Sequence, residues 1–248
     1  MGIFDSFEHF SDAVNEAREA ASNAEIGAVE TEFAPQNMDR VELRTDVPGI
    51  ERALVIGNPF EAAERMDYVQ GDNVLGYQQD CGLTSIANIG QLCGLNLTED
   101  DVVLLADQTG LCQNKWYMPP MDRGGVNDEQ ILTLLSAYGI DAHVETPDSP
   151  GGSLEAIAQY CENGQNVTMG LNAGVAWNMP EYIDDGSANH QVTVLGAVRD
   201  ADTGEVAGLY ICDSGNNDQC RFIDADTCEA MYTQIDGASI IVTDKAYA

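Results

Sequence analysis

Apolar positions recur at steps of three and four over residues 4–21, where Phe7, Phe10, Val14, Ala17 and Ala21 form one stripe opposite Asp12, Glu16 and Glu19. That spacing predicts an amphipathic helix in need of a partner surface. It could dock on the main domain, serve as an export signal, bind a partner, or cover an active cleft. Between about 30 and 50 the chain turns polar around Pro35 and Pro48, which reads as a connector and divides residues 1–45 from a main domain over 46–248. A short helix is expected over 60–68. In the segment 76–94, GYQQDCGLTSIANIGQLCG, the residues Leu83, Ile86, Ile89, Gly90 and Cys93 fall at helical spacing among small residues, predicting a buried helix that opens at Cys81. Thr98 with Glu99, Asp100 and Asp101 opens the next helix, because a threonine caps the end and acids suit the positive end of the helix dipole. Asn127 repeats that logic.

The period then changes. A helix from Ser153 to about Asn163 is ended by Gly164, and 167–171 reads as a short buried strand. Two apolar runs, 192–198 and 208–213, flank a turn-rich segment from Asp200 to Glu205 and read as a hairpin. A last strand covers 239–243. The pair Gly151–Gly152 reads as a loop turn rather than a self-cleavage site. Helices followed by antiparallel strands make an α+β arrangement.

The chain has 248 residues, with 10 basic and 42 acidic side chains for a net charge of −32, and its only lysines are Lys115 and Lys245. Such a field repels phosphate backbones, so nucleic acid is not expected as a partner. The acid is spread along the chain, as on a solvated surface tuned to a salty or crowded milieu; a nucleic-acid mimic is the sharper alternative. No apolar run approaches a membrane span. All seven cysteines lie after residue 80, an odd number with no hydrophobic leader, which fits reduced thiols in a cytoplasm. Cys212, Cys220 and Cys228 lack the close pairs of a zinc site, so neither metal nor cofactor is expected. The start MGIFDS formally fits an acylation pattern that arises often by chance.

The chemistry centres on Cys81. A helix N-terminus stabilises a thiolate through its unpaired N–H groups and dipole. A base is needed too, and the histidines are His9, His143 and His190. His190 follows a loop and opens a buried strand. If the two runs of the hairpin pair across their turn, residues whose numbers sum to roughly 403–407 face each other. That brings Asp213 close to His190, where a carboxylate orients the imidazole. Gln79 and Gln78 are oxyanion candidates, with Gln70 as a third. Asn172 and Trp177 are candidates to line the cleft.

The strings QQDCGLTSIANIGQLCG, SLEAIAQYCENGQNVTMGLNAGVAW and NHQVTVLGAVRDADTGEVAGLYICDSG, spanning roughly residues 55–243, resemble the papain-like cysteine peptidase fold. The resemblance is closest to the bacterial branch of bacteriocin-processing double-glycine peptidases and related peptidase-like domains of effectors and toxins. It implies an N-terminal helical half carrying the nucleophile and a C-terminal antiparallel sheet carrying His and Asp, with Cys81, His190 and Asp213 as nucleophile, base and orienter. The family's oxyanion glutamine lies about six residues before the cysteine, where this chain has Leu75; Gln79 or Gln78 would replace it from another loop. The processing peptidases are usually fused to a transporter, so a stand-alone hydrolase or effector-like protein is expected. It would act on a protein or peptide, be cytoplasmic or secreted non-classically, and leave room for an inhibitor or immunity-type partner. The same triad also runs deamidation or transglutamination, and an acidic binding module without chemistry is the non-enzyme alternative.

Overall fold

The computed structural model describes residues 41–247; the helix expected over 4–21 lies outside them. Eight strands form one sheet with antiparallel pairing throughout: β1 (Val41–Arg44), β2 (Ala53–Ile56), β3 (Ala142–Glu145), β4 (Val167–Leu171), β5 (His190–Asp200), β6 (Val206–Asp213), β7 (Asp218–Asp224) and β8 (Ser239–Thr243). The order β1-β2-β5-β4-β8-β3 runs through the long β5, whose other edge takes β6 and then β7. Helices α1 (Pro59–Ala63), α2 (Cys81–Leu92), α3 (Glu99–Thr109) and α4 (Asp128–Ala137) precede most of the sheet; α5 (Leu154–Glu162), α6 (Ala173–Trp177) and α7 (Ala225–Cys228) are threaded among its strands.

α2 is the pillar of the helical half. Every residue from Gly82 to Gly90 is buried, and the helix packs against α3, α4 and β5. Its Leu83, Ile86 and Ile89 are sealed from water, each stabilising the fold by about 1.5–3 kcal/mol. Small residues set the depth of that packing: a Cβ on Gly82 would lie 2.4 Å from Val126 Cγ2. The caps work as their residues suggest. Thr98 and Asp101 close a capping box on α3, Asn127 and Gln130 close one on α4, and Ser153 accepts from the Ala156 amide at 3.1 Å on α5. Asp80, by contrast, makes no capping bond to α2. The 151–152 glycines form a 3-10 turn in which Gly152 is buried and its carbonyl accepts from Tyr232 Oη at 2.8 Å.

Four elements differ from the reading of the sequence. The helix expected over 60–68 stops at Ala63, because the Asn88 side chain captures the backbone of Asp67 on both sides, accepting from its N–H at 2.8 Å and donating to its carbonyl at 2.9 Å. Strands β1, β2 and β7 were not anticipated. β1 has no buried residue and β7 only one, so neither shows a clear period-two pattern. β1 also lies ahead of the connector boundary near residue 46, yet pairs with β2 throughout its length.

Candidate active site

β4 ends at Leu171, which pairs with His190, the first residue of β5. Across β5's other edge Thr193 faces Cys212 and Val194 faces Ile211, so Asp213 arrives at the same end of the sheet. Both side chains are buried, and His190 Nε2 lies 2.7 Å from Asp213 Oδ1. Asp213 is saturated with donors. Oδ1 also accepts from the Gly215 and Asn216 amides at 3.1 and 3.2 Å, and Oδ2 accepts from Trp177 Nε1 at 2.7 Å. Burial favours the neutral acid, but these donors outweigh it and hold the carboxyl below its ordinary range.

The other nitrogen, Nδ1, is left free of Asp213, and the imidazole and the Cys81 thiol act on each other's charge. Burial pushes this thiol up, yet the His190 bond and charge, with the Gln191 and Gly82 amides, bring it below its ordinary value. Burial pushes His190 down, and its bonds to Asp213 and Cys81 more than reverse this, to about 10. The six other cysteines behave oppositely: burial raises Cys93, Cys112, Cys161, Cys212, Cys220 and Cys228 to about 11 or about 12. Of the seven thiols, Cys81 alone is drawn towards its thiolate form. Cys81 and His190 open on a cavity of ≈ 650 Å³ lined by Gln79, Gln113, Asn189 and Gln191 among others.

The remaining candidates separate. Gln79 lines this cavity, with Nε2 held by the Met121 carbonyl at 3.4 Å. Gln78 turns aside, donating to the Gly71 carbonyl at 3.0 Å, and Gln70 binds the Gln78 and Ser214 backbone. Leu75 packs against the helical core. Asn172 is fully buried and does not line the cleft: it caps α6 by accepting from Val175 and donates to the Ile183 and Ser187 carbonyls at 3.1 and 2.7 Å. Trp177 stands beside the Asp213–His190 pair, edge-on to the imidazole at 5.2 Å between centroids. His143 lies elsewhere, bonded to Asp244 at 2.6 Å. Cys212, Cys220 and Cys228 bond to three different carbonyls, those of Asp67, Pro59 and Ile223.

Reading the sequence missed three contributors. The Trp177 N–H on Asp213 joins residues 36 apart, and the Gln191 amide reaches the sulfur only because β5 starts where it does. Gly215 had a signal, a glycine after Asp-Ser, and the reason is steric. A Cβ there would sit 2.8 Å from His190 Cε1 and 3.0 Å from Trp177 Cζ2. Among the described residues no group of three or more His, Cys, Asp or Glu side chains is placed to hold a metal, and no helix is long and apolar enough to cross a membrane.

The fold is that of the papain-like peptidases. A putative C39-like peptidase from Bacillus anthracis superposes with a TM-score of 0.51 at 15% identity, over 77% of this chain and 98% of that one. A double-glycine motif protease from an AMS/PCAT transporter, solved with its leader peptide, gives a TM-score of 0.40 at 15% identity, over 66% and 84% of the two chains. No family model and no curated protein matches the chain.

Proposed function

We propose that the protein is a cysteine-dependent hydrolase of amide or isopeptide bonds in a peptide or protein substrate, with Cys81 as nucleophile, His190 as general base and acid, and Asp213 as orienter. One observation carries the reading: of seven thiols, the one at a helix N-terminus shares its cavity wall with a buried, hydrogen-bonded His–Asp pair. The shared fold with a C39-like peptidase supports it.

The Cys81 thiolate attacks the carbonyl carbon, and the oxygen that gains charge meets the first-turn N–H groups of α2, which Asp80 leaves uncapped. The Gln79 amide, held only by a long bond, swings to the same oxygen. Imidazolium His190 protonates the amine as the C–N bond breaks, leaving a thioester. Neutral His190 then takes a proton from water, whose oxygen attacks the thioester and releases acid and thiolate. Asp213, ionised throughout, steadies the imidazolium and fixes which nitrogen faces the sulfur.

The test needs no known substrate at first. Iodoacetamide labelling of each cysteine, mapped by mass spectrometry across pH, should show Cys81 reacting fast below pH 7 in wild type and losing that advantage in His190→Ala. A peptide and isopeptide library should then be cleaved by wild type and not by Cys81→Ala. Cys81 labelling no faster than the other accessible thiols would sink the proposal.

A further inference from the structure

A second set of ionisable groups backs the nucleophile, and the reaction above does not use it. Asp80, adjacent to Cys81, is fully buried. Its Oδ2 accepts from Asn73 Nδ2 at 3.0 Å, while Oδ1 meets no donor. Asn73 Nδ2 is equally close to Glu99 Oε1, at 3.0 Å, and the Gly71 amide donates to that same oxygen at 2.9 Å. Glu99 opens α3 and is itself buried. Asn73 Nδ2 thus bridges the two buried carboxyl groups.

One carboxyl of such a pair carries a proton, since two carboxylates sharing one donor group out of water cannot both ionise. No cation relieves them: among the described residues, the hydrogen-bond and ion-pair partners of Asp80 and Glu99 include no Lys, Arg or His. The groups facing the pair are mostly acids. Asp67 and Asp72 come from the turn ahead of α2, Asp100 from α3 binds the Val74 amide, and Asp107 of α3 accepts from Tyr77 Oη. Cys112 and Cys81 lie on the remaining sides, with His190 beyond the Cys81 sulfur. Arg123 lies over the Tyr77 ring at 5.8 Å and donates to the Met118 and Trp116 carbonyls.

We propose that Asp80 is a positioning residue that holds a proton shared with Glu99, and that this neutral acid keeps a like charge away from the Cys81 thiolate. The inference rests on Cys81 being the nucleophile. Burial first, then Glu99, pushes the Asp80 carboxyl up to about 9. Ionised, it would set a negative charge next to the sulfur and oppose the helix terminus that favours the thiolate. Kept neutral, it occupies the first turn without that cost.

Glu99→Gln tests this, because the new amide donates to Asp80 and lets it ionise. The midpoint of Cys81 labelling should rise by about one pH unit, read as roughly tenfold slower labelling at pH 6. Asp80→Asn, neutral at every pH, should leave the midpoint in place, and the double variant should restore it. A folded Glu99→Gln protein that labels like wild type overturns the proposal, as does a double variant that stays slow. A purely structural role would lower the melting temperature without this rescue of the pH profile. Should Glu99→Gln not fold, infrared spectroscopy of the wild-type chain at pH 8 decides: a carboxylic-acid C=O band present in the folded state and gone on unfolding supports the shared proton, and its absence refutes it. Failure of the hydrolase reading would show separately, as slow Cys81 labelling in wild type.

Discussion

The proton at Asp80 predicts how stability depends on pH. An aspartate in an unfolded chain titrates near 3.9, whereas burial and Glu99 hold Asp80 at about 9 in the fold. From about pH 6.5 to about pH 7.5 the folded protein therefore keeps a proton that the unfolded chain has lost. Stability falls as pH rises, by roughly 1 kcal/mol over that one pH unit. The Cys81–His190 pair does not add to this slope. His190, raised to about 10, contributes stability that is full below ~6.5 and lost as pH climbs towards that value. Cys81, lowered, contributes stability present above ~8.5 and lost as pH falls through its folded value. Held as the proposed thiolate and imidazolium, the folded pair carries one proton in the interval, as the unfolded pair does with thiol and neutral imidazole, and the two contributions offset. Asp67, raised to about 6 chiefly by burial, acts below the interval; the six buried thiols act above it. Urea unfolding followed by tryptophan fluorescence at several pH values measures the slope directly. Asp80→Asn should flatten it to less than about 0.3 kcal/mol per pH unit. Equal slopes in wild type and variant would refute the reasoning.

Asp213→Asn should cost the charge-assisted bond to His190, ~1.5–3 kcal/mol, which lowers the imidazolium's raised value by roughly one to two pH units; Cys81 labelling at pH 6 should slow about tenfold or more, and an unchanged rate would contradict the pairing. Trp177→Phe keeps the ring beside His190 but leaves Asp213 Oδ2 without its donor, so kcat on a cleaved peptide should fall while KM holds; a change confined to KM would return Trp177 to the cleft wall. Gly215→Ala should fold yet displace His190, since the added methyl meets Cε1 at 2.8 Å, and fast labelling of Cys81 should be lost. With a net charge of −32, the fold repels itself at low ionic strength, so the melting temperature should climb as NaCl is raised past ~0.1 M, where the Debye length is about 10 Å; a flat response would show the acids already neutralised by local pairing.

Much of the fold was legible because its signals are local. The helix opening at Cys81 shows in the three-and-four spacing of Leu83, Ile86 and Ile89, and the caps at Thr98, Asn127 and Ser153 are single residues followed by their own donors. The approach of Asp213 to His190 follows from counting across one hairpin, and the bulge between Val194 and Gly196 shifts the count by only one. The edge strands β1 and β7 were not legible. β1 and β7 bury too little to impose a pattern, and what makes them strands is a neighbour's free edge.

The chain's local order thus determined the elements of the helical half and the hairpin, and which thiol heads a helix, since propensity, capping and periodicity act over a few residues. Tertiary structure alone decided what surrounds that thiol. Trp177 reaches Asp213 across 36 positions, Glu99 reaches Asp80 from the next helix, Asn172 turns inward as a cap, and Gln79 rather than Gln78 faces the cavity. Those outcomes depend on which faces pack and which polar groups are left to satisfy one another out of water, and the charge on each buried group follows from its neighbours, not from its residue type.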